Sequence, residues 1–295
     1  MSNVAIGIDL GGTRIKAVAI DETGHPLHHH YHPTIDEREG VWKNDVAVAL
    51  KEIQNKLQCY DAPVGISAPG LPNMENTAIA YMPGRLYGLE NFIWTDFLET
   101  KTYVLNDAVA AMMAEARYGA AKDKKNVIML TLGTGVGGAV LIDGKPYQGA
   151  FNKAGHIGHM VVDSDGEPDV TGIPGSLEDA IGNCTIQKRS NGLYTSTGQL
   201  LEAYRQGDNF ATVVWLTSVK KLAIALASLT NILSPEAIIL GGGITEAGKD
   251  LFIPLQGFLG NYEWRTGGNR VQIVKAEYGD LAGAVGAACF AREKG

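Results

Sequence analysis

Short apolar runs divided by glycine-rich turns open this chain, and the same pattern returns near its middle. Val4–Leu10 and Arg14–Asp21 have strand length and β-compatible composition, with Gly11-Gly12-Thr13 between them. His28–His32 lies where a third strand of this hairpin series runs. Val41–Leu57 carries Val41, Val46, Val48, Leu50, Ile53 and Leu57 in the manner of an amphipathic helix. Pro63–Ala68 reads as a buried strand ending at Pro69-Gly70, and Pro72-Asn73 adds a second turn signal. Thr102–Leu105 is a short strand that runs into Asn106-Asp107. The Ala/Met/Glu-rich stretch Ala108–Tyr118 then predicts a helix closed by Gly119. After Asn126 the strand–turn–strand restarts. It is followed by a long helix over Val213–Leu233, a strand over Ala237–Leu240, a Gly241-Gly242-Gly243 turn opening a helix, and a small-residue helix over Leu281–Arg292.

Strands followed by helices in two halves predict an α/β fold with two domains and a cleft between them. The expected division is 1–118 and 119–280, with the helix of 281–295 returning to the N-terminal domain and Asn106–Tyr118 as connector.

The two glycine turns are copies of one another. GIDLGGTRIKAVAID at 7–21 aligns without gaps to MLTLGTGVGGAVLID at 129–143, matching Leu10/Leu132, Gly11/Gly133, Ala17/Ala139, Val18/Val140, Ile20/Ile142 and Asp21/Asp143. Glycine lets the backbone turn sharply and brings its N–H groups close to a ligand. Successive N–H groups in such a turn form an anion-binding concavity. Two related turns therefore suit a polyphosphate gripped from both sides, with Gly11, Gly12 and Thr13 on one and Gly133, Thr134 and Gly135 on the other.

Composition narrows the class. The chain has 295 residues, 45% hydrophobic and 19% charged, with a net charge of −7. That balance argues against nonspecific affinity for nucleic acid or an anionic membrane. Phosphate binding must then be local. Cys59, Cys184 and Cys289 are dispersed, without CxxC spacing, which fits a reducing, cytoplasmic setting. No targeting segment precedes Gly7, and no apolar run is read as a membrane span. His28, His29, His30 and His32 raise the question of a metal tract, but their place in a strand favours an exposed strand face.

Gly133-x-Gly135-x-x-Gly138 matches GxGxxG literally, but a dinucleotide fingerprint needs a helix after the loop. Here Ala139–Ile142 continues as a strand, so the oxidoreductase reading fails on context. A GxxxxGK[ST] loop is absent from the sequence.

GIDLGGTxxK, NDAxAAxxAEAxYG, LGTGVGG, GHxGHM and a late LGGG, in this order from Val4 to about Arg292, resemble the ROK family of sugar kinases and repressors. The resemblance implies the actin-like, ribonuclease-H-like ATPase fold. ROK repressors carry an N-terminal helix-turn-helix, whereas this sequence opens on the first phosphate strand, which favours the kinase. The expected reaction is ATP- and Mg²⁺-dependent phosphorylation of a hexose or hexose-derivative hydroxyl, a glucokinase-like activity. A catalytically silent sugar sensor of the same fold is the alternative. Family kinases are commonly dimers, so a homodimer is expected from the resemblance alone.

Phosphoryl transfer depends on positioning and charge neutralisation. A carboxylate beside a phosphate turn is costly unless a cation lies between, so Asp9, which is Thr131 in the second copy, is the Mg²⁺ candidate, through a water. Thr13 adds a hydroxyl, and Lys16 reads equally well as a surface charge. Asp107 at a strand-to-helix junction reads as an N-cap or as the general base taking the proton of the sugar hydroxyl. The resemblance implies sugar contacts for Asn106, Gly70, Asn73, His156, His159 and Glu178, and an adenosine-side role for Gly242 and Gly243.

Two departures stand out. Family kinases usually read GExGH followed by CxCGxxGCxE, whose His and three Cys bind a structural zinc. Here Asp169, Thr171 and Ser176 occupy the cysteine positions and Glu178 is retained. One imidazole, one carboxylate and two hydroxyls are poor zinc ligands, so no zinc is expected. His156 replaces the family Glu, exchanging a pure acceptor for a group that also donates, and an altered sugar preference is expected.

Overall fold

A computed structural model describes residues 4–35, 40–82, 84 and 86–295. The chain forms two compact units. One comprises Met1–Lys125, Val140–Ala154 and Ala276–Gly295, and the other Asn126–Ala139 and Gly155–Lys275. Residues 119–125, 140–154 and 276–280, expected with the second half, thus belong to the first unit. The helix after Asn106, expected as a connector, lies within that unit.

In the first unit the elements are β1 (Ala5–Leu10), β2 (Arg14–Ile20), β3 (Pro26–Pro33), α1 (Trp42–Leu57), β4 (Val64–Ala68), the short pair β5 (Leu71–Pro72) and β6 (Ile79–Tyr81), α2 (Trp94–Leu98), β7 (Thr102–Asn106) and α3 (Asp107–Arg117). The chain continues with β8 (Val127–Leu132), β9 (Val136–Ile142), β10 (Lys145–Pro146), α4 (Leu177–Ile181), α5 (Ile186–Arg189), α6 (Thr197–Arg205), α7 (Asn209–Leu233), β11 (Ala237–Gly241), α8 (Lys249–Tyr262), β12 (Gln272–Lys275) and α9 (Ala282–Lys294). The sheet orders are β3-β2-β1-β4-β7 and β10-β9-β8-β11-β12. The internal repeat is therefore one of topology as well as sequence: an antiparallel meander of three strands, then two strands added in parallel.

The first core packs α1 on one sheet face through Trp42, Val46, Ala49, Leu50 and Ile53. On the other face α9 lies against β1 and β4 and against α3. Side chains alternate between faces along a strand, so Gly7 and Asp9 of β1 share a face, as do Gly65 and Ser67 of β4. A Cβ at Gly7 would overlap the Ala284 carbonyl, one at Gly65 the Ala287 carbonyl, and one at Gly286 the Ala110 carbonyl of α3. The small-residue sequence of α9 is thus explained by a contact that leaves no room for side chains on any of three surfaces.

The second core lies between β8, β11 and the helices α4, α6, α7 and α8, centred on Trp215, Leu222 and Leu226. By length and composition α7 meets the requirement of a membrane span, which the sequence reading does not expect, yet its apolar stripe is buried in this core.

Gly286→Ala and Gly65→Ala should each destabilise by the upper end of the ~1–3 kcal/mol range for overpacking, lowering Tm by roughly 6–12 °C in a thermal melt. Gly257→Ala in α8, where an added Cβ meets nothing within 4 Å, should instead stabilise by roughly 0.5–1 kcal/mol.

Candidate functional site

The register of the first sheet builds one end of the site. Asp9 pairs with Lys16 across β1–β2 and with Ser67 across β1–β4. Directly opposed residues share a face, and the side chains meet accordingly. Ser67 Oγ donates to Asp9 Oδ1 at 2.7 Å, and Lys16 Nζ donates to Asp9 Oδ2 at 3.1 Å. Lys16 also donates to the Asp280 carbonyl at 3.0 Å. Burial works against its charge, but Asp9 and Asp280 outweigh it and raise its pKa, so the ammonium is retained. Lys16 is therefore a half-buried ion-pair partner rather than a free surface charge. A Cβ at Gly283, in the first turn of α9, would stand 2.6 Å from Asp9 Oδ1. Asp9 thus lies at a helix N-terminus, where the aligned peptide dipoles favour an anion.

The adjoining turn is closed by its own backbone. Gly11 N–H donates to the Arg14 carbonyl at 3.2 Å, and Thr34 holds the Gly11 carbonyl through its hydroxyl at 2.7 Å and the Thr13 carbonyl through its N–H at 3.0 Å. Of the three expected phosphate donors, the Gly11 N–H is already engaged. The Gly12 and Thr13 N–H groups make no hydrogen bond among the described residues.

At the β7–α3 junction Asn106, not Asp107, is the N-cap. Its Oδ1 accepts from the N–H groups of Ala108 at 3.0 Å and Val109 at 3.3 Å, while Nδ2 donates to the Gly70 carbonyl at 3.1 Å. Gly70 sits at φ 101°, a conformation that favours glycine. Asn73 is also engaged locally, accepting from the N–H of Thr77 and donating to its hydroxyl, each at 2.8 Å. The two asparagines expected to bind sugar therefore hold their loops, with little polar capacity left over.

Asp107 is released from capping and is the first residue of α3. It is open to solvent yet crowded by protein atoms. That desolvation, with the Asp9 charge adding to it, outweighs the Ala108 N–H and pushes its carboxyl up to about 6.

In the second unit the corresponding turn is stitched differently. Gly133 N–H donates to the Gly135 carbonyl at 2.9 Å, Asn183 N–H to the Gly133 carbonyl at 3.0 Å, and Cys184 N–H to the Thr134 carbonyl at 2.8 Å. Glu178 Oε2 accepts from Val136 N–H at 2.9 Å, and a Cβ at Gly135 would collide with it. The Thr134 N–H makes no hydrogen bond among the described residues.

Beside this turn is a cavity of about 550 Å³, lined by Gly133, Thr134, Asn183, Thr197, Arg205 and Gly243 among others. Gly242, at φ 86°, packs on Leu132 so closely that a Cβ would strike its carbonyl, while a Cβ at Gly243 would meet nothing within 4 Å. The pair thus combines a forced turn with open space on the cavity side. Thr197 Oγ1 is buried with no hydrogen-bond partner among the described residues. Asn183, Thr197 and Arg205 escape sequence reasoning because no motif marks them and the sequence reading assigns no element to their stretch.

The segment from His156 to Ser176 replaces ligation with hydrogen bonds. Asp169 Oδ1 accepts from the Thr171 N–H at 2.8 Å, the Thr171 hydroxyl at 2.6 Å and the Ile173 N–H at 3.1 Å. Burial opposes ionisation, but these bonds prevail and hold the carboxyl well below the usual carboxylate range. Ser176 Oγ caps α4 by accepting from Asp179 N–H at 3.2 Å. His159 Nδ1 stands 3.8 Å from Asp169 Oδ2, and the His156 and His159 rings stack at 6.5 Å. With both hydroxyls engaged, one imidazole nitrogen and one carboxylate oxygen remain. That donor set does not fit a tetrahedral zinc.

Residues 5–294 match the sequence profile of the ROK family. The chain belongs to the ROK family. It is 32% identical to a glucokinase of Thermotoga maritima, over 98% of this chain and 97% of that protein. Among solved structures it resembles a ROK hexokinase from Thermus thermophilus, with a TM-score of 0.88, 26% identity and coverage of 99% and 98% of the two chains. A ROK glucokinase from Streptomyces griseus, in complex with glucose and AMPPNP, superposes with a TM-score of 0.80 at 28% identity over 98% and 99%. The architecture is thus the two-domain actin-like α/β fold of the ROK kinases.

Asn106→Ala removes the cap of α3 and the tether to Gly70 together. It should destabilise by about 1–2 kcal/mol, read as a lower urea midpoint with an unchanged m-value.

Proposed function

We propose that this protein is an ATP-dependent sugar kinase that transfers the γ-phosphoryl group to a hydroxyl of a hexose or hexose derivative, with Asp107 as the general base. The observation that carries the reading is the state of Asp107. Asn106 has taken over the capping role, and the carboxyl is held at about 6, close to the pKa a base needs near neutral pH. The glucokinase names of the relatives and the bound glucose and AMPPNP of the Streptomyces enzyme support the same chemistry.

In the reaction the sugar hydroxyl oxygen attacks the γ-phosphorus in line, and the bond to the β,γ-bridging oxygen breaks. ADP leaves, and the hydroxyl proton passes to Asp107. The N–H groups of Gly12, Thr13 and Thr134 are the donors for phosphate oxygens, and the cavity beside Gly243 takes the adenosine. His156, His159 and the second oxygen of Glu178 are the proposed sugar contacts from the 156–178 segment.

Each Asp9 oxygen has one protein donor and so keeps a lone pair. This hard carboxylate suits a magnesium ion held through water, with Lys16 limiting direct ligation. Such an ion would neutralise charge on the β- and γ-phosphates.

Asp107→Asn should reduce turnover by about 10²–10⁴-fold or more in an ADP-release assay across a hexose panel, with AMPPNP affinity largely kept. Near-normal turnover would remove Asp107 from the base role. No turnover by the native protein on any sugar, with sugar binding intact, would favour the sensor instead.

The base must be ionised to act. Hence kcat/KM should fall tenfold per pH unit below about 6 and level off above it. A profile flat down to pH 4.5 would oppose the assignment.

A further inference from the structure

Edge strand β3 alternates its side chains so that His28, His30 and His32 face α1 while His29 and Tyr31 face away. On the α1 side, Glu52 Oε2 stands 3.1 Å from His32 Nε2 and 3.3 Å from His30 Nε2. All three donor atoms lie within 4.8 Å of one another. A tetrahedral ion with ligands at ~2.0–2.1 Å has edges of roughly 3.3–3.4 Å, the spacing that links Glu52 to each histidine.

His30 Nε2 is buried, and its approach to Glu52 is not a hydrogen bond. A buried imidazole nitrogen with no hydrogen bond is a donor atom left open to an ion. Across β2 the residues opposite His28, His30 and His32 are Ala19, Ala17 and Ile15. No side chain there competes for these nitrogens.

We propose that His30, His32 and Glu52 bind a divalent transition ion of the zinc or cobalt type, with water completing the shell, and that this ion clasps edge strand β3 to helix α1. Two imidazoles and a carboxylate are borderline donors suited to such ions rather than to Mg²⁺ or Ca²⁺. The site shares no residue with the 159–176 segment, whose hydroxyls are already engaged, or with Asp9 and Asp107. Its existence does not depend on the kinase reading.

The test uses full-length protein without tag histidines, stripped with a chelator and free of nucleotide, titrated with Co²⁺ by visible d–d absorption and with Zn²⁺ by calorimetry. One ion per chain should bind with micromolar or tighter Kd and raise Tm. Glu52→Gln should weaken binding at least tenfold. The double variant His30→Gln/His32→Gln should abolish it, while His159→Gln should bind as the native protein does. Circular dichroism establishes that each variant is folded, and Glu52→Gln alone decides the matter if the double variant is not. Unchanged affinity in folded Glu52→Gln, loss of binding in His159→Gln, or native binding weaker than millimolar would overturn the proposal.

Discussion

Helix α9 can approach β1, β4 and α3 only because Gly7, Gly65 and Gly286 lack side chains where the backbones meet. Close packing of this kind tolerates little adjustment, since interiors are as dense as organic crystals. The consequence reaches the chemistry directly. Because strand residues two apart share a face, seating Gly7 and Gly65 under α9 carries Asp9 and Ser67 to the first turn of that helix, at Gly283. The carboxylate then has a fixed neighbour on each side, Lys16 from β2 and Ser67 from β4, and a helix terminus above it. A contact that looks structural thus fixes where the anion lies, and the field of that anion contributes to the raised pKa of Asp107.

Duplication explains the architecture, and the differences between copies explain the division of labour. Both halves run as a meander followed by two parallel strands, and both place a glycine turn after the first strand. In the first copy the row across the sheet is Lys16–Asp9–Ser67, charged and hydrogen-bonded. In the second, Thr131 stands opposite Gly241 of β11, without a charge. The second copy recruits its carboxylate from elsewhere, Glu178 reaching the Val136 N–H from α4. One turn is therefore bordered by a carboxylate kept available beside an ammonium, the other by a carboxylate that braces the turn itself. The first arrangement suits a cation and charge transfer; the second suits a rigid cradle.

Much of this was legible from residues. The repeat, the strand-then-helix order and the apolar periodicity of α1 and α7 carry the fold, because long periodic segments report burial directly. Asp9 and Asp107 stand out as candidates because carboxylates at a glycine turn and at a strand end are chemically conspicuous. The two readings of Asp107, cap or base, stayed open in the sequence because either residue of Asn106-Asp107 caps well and only the exact helix start shows that Asn106 is the cap. The role of Lys16 was recoverable in principle: a turn that pairs Leu10 with Ile15 puts Asp9 opposite Lys16. The lining of the cavity was not. Asn183 and the α6 residues Thr197 and Arg205 are brought together partly by the Thr197 N–H donating to Asn183 Oδ1, and no motif marks them as neighbours of the glycine turn.

The segment from His156 to Glu178 closes its loop through hydrogen bonds where its family usually places metal-binding cysteines. A structural zinc contributes ~10–16 kcal/mol, whereas each hydrogen bond nets about 0.5–1.5 kcal/mol, somewhat more to a charged acceptor. Asp169 gathers three donors on one oxygen, and the Gly175 carbonyl accepts from Val162 and Asp163 N–H. Together these bonds close the loop but cannot match a metal. The segment is consequently held by weaker, more local forces than a zinc-bound counterpart, while its far end is anchored firmly by Glu178 on the glycine turn. The side chains proposed to read the sugar therefore differ in rigidity along the segment. His156 and His159 sit on the hydrogen-bonded stretch, and Glu178 sits on the braced one. A change of sugar preference is accordingly easier to accommodate at His156 than at Glu178, where any movement would disturb the glycine turn as well.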